Sequence, residues 1–193
     1  MDVVRVSIKA SGNEKIALMG NRDSGISSIM QGILGNLYTP IGKCLVVGSV
    51  GFMKYDKLLF LEGKTIKENI LFGKEYKALD YSTILELLEI SFDKLERKDE
   101  EIVMEEGCNF NKIQKAKILI ARSLYSNSDM YLIEEIFEKL EVQERGRIFK
   151  KVILGHLHQK IVVFSSVKEE FLKYSDQILV VEKGKVKKRG TYS

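Results

Sequence analysis

The sequence predicts an α/β protein built around a central, mainly parallel β-sheet. Short apolar runs alternate with amphipathic helical segments, a pattern typical of strands that helices cover on both faces. The clearest strands are predicted at residues 16–19, 130–133 and 161–164. The clearest helix is predicted at residues 112–124, where apolar residues recur at helical spacing.

The remaining elements are two helices, two short strands and a closing hairpin. The helices are predicted at residues 27–37 and 142–154, the strands at 44–47 and 49–53, and the hairpin at 177–182 and 186–190. Thr65 and Glu68 have capping-box spacing and predict the start of another helix.

Size and composition are those of one globular domain. A chain of 193 residues with 45% apolar and 30% charged residues can bury a substantial core. We expect residues 1–193 to form a single domain. Its core would comprise about residues 1–64 and 113–193, with a mainly helical subdomain at about 65–112.

Charge and hydropathy exclude several classes of function. The net charge of +4 is small, and basic residues are interspersed with acidic ones, so we expect no nucleic-acid partner. The one dense basic run, residues 183–189, is interpreted as a solvated hairpin and tail. No apolar run approaches the ~20 residues that span a bilayer, and two distant cysteines imply no disulfide framework. We therefore expect a cytoplasmic location with no membrane insertion of its own.

Residues 16–30, IALMGNRDSGISSIM, have the outline of a phosphate-binding loop without its lysine. In the pattern G-x-x-x-x-G-K-[ST], the glycines let backbone N–H groups surround phosphates, the lysine neutralises their charge, and the hydroxyl binds Mg²⁺. Ile26 stands where the lysine belongs. On these residues alone, the match is either accidental or a nucleotide-binding loop with altered chemistry.

The order of later segments in the sequence favours the second interpretation, a nucleotide-binding loop with altered chemistry. They are KLLFLEGKTIKENILFG (57–73), EEGCNFNKIQKAKILIARSLYSNSDMYLIEE (105–135), IFEKLE (136–141), IVVFSSV (161–167) and ILVVEKGKVKKRGTYS (178–193). Together they resemble the nucleotide-binding domain of ATP-binding cassette (ABC) transporters, over nearly the whole chain. The likeness is strongest to the C subfamily, which includes the multidrug-resistance proteins and the cystic fibrosis chloride channel. This resemblance implies a P-loop NTPase-type fold with a mainly parallel sheet, a helical subdomain and an antiparallel β edge.

The resemblance assigns the residues of the phosphate loop. Asp23 replaces a glycine of the family pattern and Ile26 replaces its lysine, and Ser27 would supply the Mg²⁺ hydroxyl. The residues that keep the pattern are Gly20, Gly25, Ser27 and Ser28.

The resemblance also assigns residues outside the loop. Lys57 aligns with the glutamine of the Q-loop, and only Gln114 is kept from the signature motif. Glu134 would orient the metal in place of an aspartate, and Glu135 would be the catalytic carboxylate that polarises the attacking water. Val167 aligns with the switch histidine, and a valine side chain forms no hydrogen bond to phosphate.

Two cations could replace the missing lysine. Arg22 lies in the loop, but it could instead be an exposed residue paired with Asp23. Lys57 could supply charge from the Q-loop, but it could instead face solvent or a partner.

These substitutions predict a degenerate ABC-type ATP-binding domain that is a pseudo-ATPase and no longer an enzyme. It would bind ATP and Mg²⁺ weakly or not at all. It would act as a binding or regulatory subunit, paired with another ABC domain or docked on a transmembrane transporter subunit, and thereby peripheral to a membrane. The alternatives are an ATP-hydrolysing transporter subunit that uses Glu135, and a repurposed soluble scaffold.

Overall fold

The computed structural model describes residues 6–21, 23–38, 41–93 and 95–192, apart from the side chain of Lys57. This part of the chain contains both strands and helices. The strands are β1 (Lys15–Met19), β2 (Val50–Lys54), β3 (Met130–Glu134), β4 (Ile161–Ser165), β5 (Gln177–Glu182) and β6 (Lys185–Gly190). The helices are α1 (Ile26–Ile33), α2 (Ile66–Leu71), α3 (Ala78–Leu87), α4 (Lys112–Tyr125), α5 (Val142–Lys150) and α6 (Glu169–Leu172). Short 3₁₀ turns lie at Lys57–Leu59, Lys98–Glu100, Glu105–Gly107 and Ile136–Lys139, and a π-helical turn at Lys151–His156.

The strands form a sheet in the order β2-β3-β4-β1-β5-β6. The pairs β1–β4, β1–β5 and β3–β4 are parallel, and β5–β6 is an antiparallel hairpin at the edge. The predicted α/β fold with a mainly parallel sheet and an antiparallel edge is confirmed. None of the helices in the described ranges has the length and apolar character needed to cross a membrane.

The chain divides into two compact units. The first contains Met1–Phe52, Asp129–Glu134 and Ile153–Ser193, and the second contains Met53–Ser128 and Glu135–Val152. The single domain with a helical subdomain at 65–112 stays a prediction.

The core of the first unit surrounds β1. Ile16, Ala17 and Leu18 of this strand are buried, and Ile29 and Met30 of α1 pack on the same cluster. Neighbouring strands complete it with Leu132, Val163, Leu179 and Val181. The apolar runs at 16–19, 130–133 and 161–164 are therefore strands with little contact with water.

The buried side chain of Lys15 anchors the start of β1. Its Nζ donates to the carbonyl oxygens of Asn13 at 2.6 Å, Lys160 at 2.7 Å and His158 at 3.2 Å. Its backbone N–H donates to the carboxylate of Asp176 at 2.7 Å. Burial lowers the pKa of Lys15, and the Asp176 carboxylate opposes this shift. These bonds connect β1 to residues that precede β4 and β5.

Arg122 of α4 is the polar centre of the second unit. Its Nε donates to the carbonyl oxygen of Asn69 and its Nη2 to the side-chain oxygen of Asn69, both at 2.6 Å, and its Nη1 donates to the carbonyl oxygen of Leu59. The rings of Phe72 and Phe60 lie 4.6 and 5.9 Å from the guanidinium carbon. Burial lowers the pKa of Arg122 to about 10, so the group is still a cation at neutral pH.

The structure differs from the sequence prediction at three elements. The helix predicted at 142–154 is α-helical only over Val142–Lys150 and continues as the π-helical turn Lys151–His156. The helix predicted at 27–37 ends at Ile33, because Gly35 adopts a left-handed φ of 78° and Asn36 donates back to the carbonyl of Gln31 at 2.9 Å. The strand predicted at 44–47 is wrong: this segment is irregular, and Leu45 is 85% exposed. Its apolar residues resemble a strand, but they have no paired neighbour among the described residues.

We expect Arg122→Ala to lower the free energy of unfolding by about 3–4 kcal/mol, because it leaves buried acceptors on Asn69 and Leu59 without their donor. Chemical denaturation measures this loss. Arg147→Ala is the matched control, because Arg147 is mostly exposed and forms an ion pair with Glu89 at 2.6 Å on the protein surface. It should cost at most about 1 kcal/mol. Equal effects of the two substitutions would contradict the role assigned to Arg122.

Asp129 predicts a dependence of stability on pH. Its Oδ2 accepts from the N–H and the Oγ of Ser49, both at 2.8 Å, and these bonds hold the pKa of Asp129 below its usual value. The stabilisation is therefore present above the unfolded-state pKa of about 3.9 and is lost as the pH falls through the folded-state pKa. The advantage of the unmodified chain over Asp129→Asn should shrink from about pH 5 to pH 2 in denaturation experiments. Parallel stability curves for the two chains would refute this role for Asp129.

Candidate functional site

The loop that leaves β1 needs both of its outer glycines for geometric reasons. A Cβ on Gly20 would lie 2.6 Å from the Oγ of Ser24 and 2.6 Å from the carbonyl oxygen of Val181. Gly25, just before α1, has a left-handed φ of 102°. The loop turns on itself through a bond from the Ser24 N–H to the carbonyl of Asn21 at 3.0 Å. Gly20 and Gly25 therefore keep the loop in its compact form.

Two residues of this loop depart from the phosphate-loop pattern. Ile26 is the first residue of α1, so an apolar side chain stands where the phosphate-loop pattern has its cation. Asp23 has a left-handed φ of 66°, and its side chain is a carboxylate where the pattern has a glycine. Among residues 20, 21 and 23–28, none is basic. The described part of the loop thus combines two glycines of the phosphate-loop pattern with no basic side chain.

Ser27 and Glu134 lie together at the carboxyl edge of the sheet. The Ser27 Oγ donates to the Glu134 Oε1 at 2.5 Å, which joins the first turn of α1 to the end of β3. Mg²⁺ prefers oxygen ligands such as hydroxyl and carboxylate groups. The pair of Ser27 and Glu134 therefore fits the metal that the loop pattern implies. Ser28, the next residue of α1, is half-buried. No group of three or more His, Cys, Asp or Glu side chains suited to a metal is found in the described ranges.

The two proposed substitute cations are not placed by the structure. Arg22 lies outside the described residues, as does the side chain of Lys57, whose backbone begins the 3₁₀ turn Lys57–Leu59. Their roles stay predictions.

In the second unit, Gln114 closes the amino end of α4. The Asn111 Oδ1 accepts from the N–H groups of Ile113 and Gln114, both at 2.9 Å. The Gln114 Oε1 accepts from the Asn111 N–H at 2.9 Å, which completes a capping box. Asn111 was missed in the sequence analysis, although the spacing Asn-x-x-Gln before an apolar helix indicates such a cap.

Glu135 adopts a left-handed backbone conformation directly after β3. Its φ is 49° and ψ 13°, and it precedes the 3₁₀ turn Ile136–Lys139. The Glu138 N–H donates to its carbonyl oxygen at 3.1 Å. Seven other described non-glycine residues also have a positive φ, so this conformation does not by itself mark Glu135 as catalytic. In the first unit, Val167 follows β4 and is 59% exposed.

Curated relatives match almost the whole chain, whereas no family model matches it. The chain is 32% identical over 189 residues to a probable multidrug resistance-associated protein of Drosophila melanogaster. It is also 32% identical over 189 residues to ABC transporter C family member 6 of Arabidopsis thaliana. It is 28% identical over 190 residues to ATP-binding cassette sub-family C member 4 of Homo sapiens. Each alignment covers 97% of this chain but only 13–14% of the relative, so the chain spans about a seventh of each relative's length.

The sequence likeness agrees with the mainly parallel sheet and with the glycine-bounded loop between β1 and α1. This chain therefore belongs to the ATP-binding cassette proteins, as an ABC-type domain similar to those of the C subfamily.

Proposed function

We propose that this chain is a degenerate ABC-type ATP-binding domain that does not hydrolyse ATP. It acts as a binding or regulatory subunit, by pairing with another ABC domain or docking on a transmembrane transporter subunit. Through that partner it is peripheral to a membrane on the cytoplasmic side. The observation that carries this proposal is the loop between β1 and α1, where Ile26 stands in the lysine position and no basic residue lies at positions 20, 21 and 23–28.

In the family that the chain resembles, two domains enclose ATP between them. The signature motif of one domain presents serine and glycine N–H groups to the γ-phosphate bound by the other. Here the N–H groups of Ile113 and Gln114 already donate to Asn111, and Lys112 and Ile113 carry side chains where glycines allow close approach. Opening such a cap costs about 1 kcal/mol before any phosphate is bound. Asn111 and Gln114 have the same capping spacing as the serine and glutamine of the family motif. The departure in this turn is therefore the side chains of Lys112 and Ile113, which oppose close approach of a partner's nucleotide.

The phosphate loop supports the same conclusion. A cation about 4 Å from a phosphate contributes about 4 kcal/mol at an effective dielectric constant near 20. Its replacement by Ile26 removes roughly two to three powers of ten in affinity. Asp23 adds repulsion to the anion, so ATP with Mg²⁺ is expected to bind weakly or not at all. Phosphoryl transfer needs positioning and charge stabilisation, and both are reduced here.

One observation favours the alternative function, an ATP-hydrolysing transporter subunit. Ser27 and Glu134 keep two oxygen ligands suited to Mg²⁺ within 2.5 Å of each other. Glu135 follows directly and would polarise the attacking water. In that case a basic residue at a position other than 26 would have to bind the phosphates.

Turnover measurements separate the two functions. Phosphate release from ATP with Mg²⁺ should stay at the background rate for both the unmodified chain and Glu135→Gln, because the site lacks its charge stabilisation. The assay is repeated at several protein concentrations. A rate that rises with protein concentration and disappears in Glu135→Gln would establish the alternative instead.

Ile26→Lys should raise the affinity for ATP by roughly two powers of ten, since it restores a cation to the loop. Isothermal titration calorimetry with and without Mg²⁺ measures the change. Ile41→Lys is the matched control, because it adds the same charge at a side chain that is 90% exposed and outside the loop. If both variants gain affinity equally, the loop is not the binding site.

A further inference from the structure

We propose that the turn between β5 and β6 supplies the positive charge for a polyphosphate ligand at this loop. Lys183 and Lys185 would be the anion-binding residues, in place of the lysine that Ile26 has replaced. This inference rests on the proposed function, because it names the ligand chemistry that a degenerate loop could still bind.

The turn and the loop are packed against each other within the first unit. The N–H of the buried Gly184 donates to the carbonyl oxygen of Ser24 at 2.7 Å. The carbonyl oxygen of Val181 lies so close to Gly20 that a Cβ there would approach it to 2.6 Å. The position of the turn is thus determined by the same contacts that close the loop.

Strand register explains why the two segments meet. β1 and β5 are parallel neighbours, with Met19 opposite Val180, so their carboxyl ends reach the same edge of the sheet. The loop begins one residue after Met19, and the turn begins three residues after Val180. Ligands of parallel α/β sheets bind outside the carboxyl ends of the strands, which is where both segments lie.

Lys183 and Lys185 flank the residue that touches the loop, and both are exposed. Glu182 lies opposite Lys185 in the ladder, yet in the described part of the chain neither lysine forms an ion pair. A lysine stem extends about 6 Å from its Cα, so ammonium groups one residue from Gly184 can reach an anion cradled by the loop. The carboxylates of Asp23, Glu134 and Glu182 lie at the same edge of the sheet, and the two ammonium groups partly offset their charge.

Exposed lysines on an edge strand also have a simpler role, which is to prevent pairing with another chain. That role accounts for Lys187 and Lys188, further along β6, and does not require the contact between Gly184 and the loop. It predicts that the four lysines are equivalent toward an anion. Our proposal predicts that they are not.

The test compares two double variants with the same loss of charge, Lys183→Ala/Lys185→Ala and Lys187→Ala/Lys188→Ala. Isothermal titration calorimetry uses ATP, inorganic tripolyphosphate and adenosine as probes. ATP and tripolyphosphate should bind about tenfold more weakly to the first variant and be nearly unaffected in the second. Lys183→Arg/Lys185→Arg should retain binding, and unfolding midpoints without ligand establish that all variants are folded.

The proposal would be overturned by equal losses in both double variants, by no loss in the first, or by no binding of ATP and tripolyphosphate to the unmodified chain. Adenosine binding that follows the lysines would also contradict it. Equal affinities for ATP and tripolyphosphate would show that the site recognises only the polyphosphate chain. A higher affinity for ATP would show that the ligand is a nucleotide. ATP hydrolysis by the unmodified chain that disappears in Glu135→Gln would refute the proposed function. It would leave the comparison of the lysine variants unaffected.

Discussion

The first unit depends on the burial of β1 between two parallel neighbours. β4 and β5 pair with it on either side, and the Lys15 side chain binds carbonyl groups around its start. A strand held in this way determines where its following residue emerges. The loop from Gly20 to Gly25 therefore leaves at the carboxyl edge, beside the turn at Gly184 and the end of β3. Any ligand of this loop would therefore lie at the carboxyl edge of the sheet.

The second unit has a comparable constraint in Arg122. The guanidinium joins α4 to the segment around Leu59 and to Asn69 in α2 through three hydrogen bonds. The same helix begins at the capping box of Asn111 and Gln114. The hydrogen bonds of Arg122 on its buried face and the cap at its amino end both stabilise α4. Its stability does not require that its first turn bind a ligand.

The two loop glycines are required by the fold itself, whereas the residue at position 26 is not. Gly20 and Gly25 remain where a side chain would clash or strain the backbone, so the fold needs them whether or not a nucleotide binds. Position 26 carries no such demand: an isoleucine there packs beside the core cluster of the first unit. A loop can therefore keep its shape after its chemistry has changed, which is the physical basis of the proposed pseudo-ATPase.

The sequence by itself determined the parallel strands, the edge hairpin, the helix α4 and the outline of the loop, because each depends on local periodicity and on glycine spacing. The tertiary structure alone decided that the segment at 44–47 is not a strand and that Arg122 is buried among carbonyl groups. It also placed the turn at Gly184 against Ser24, 160 residues away in sequence. Such contacts arise from strand order and register, and no local pattern of residues encodes them.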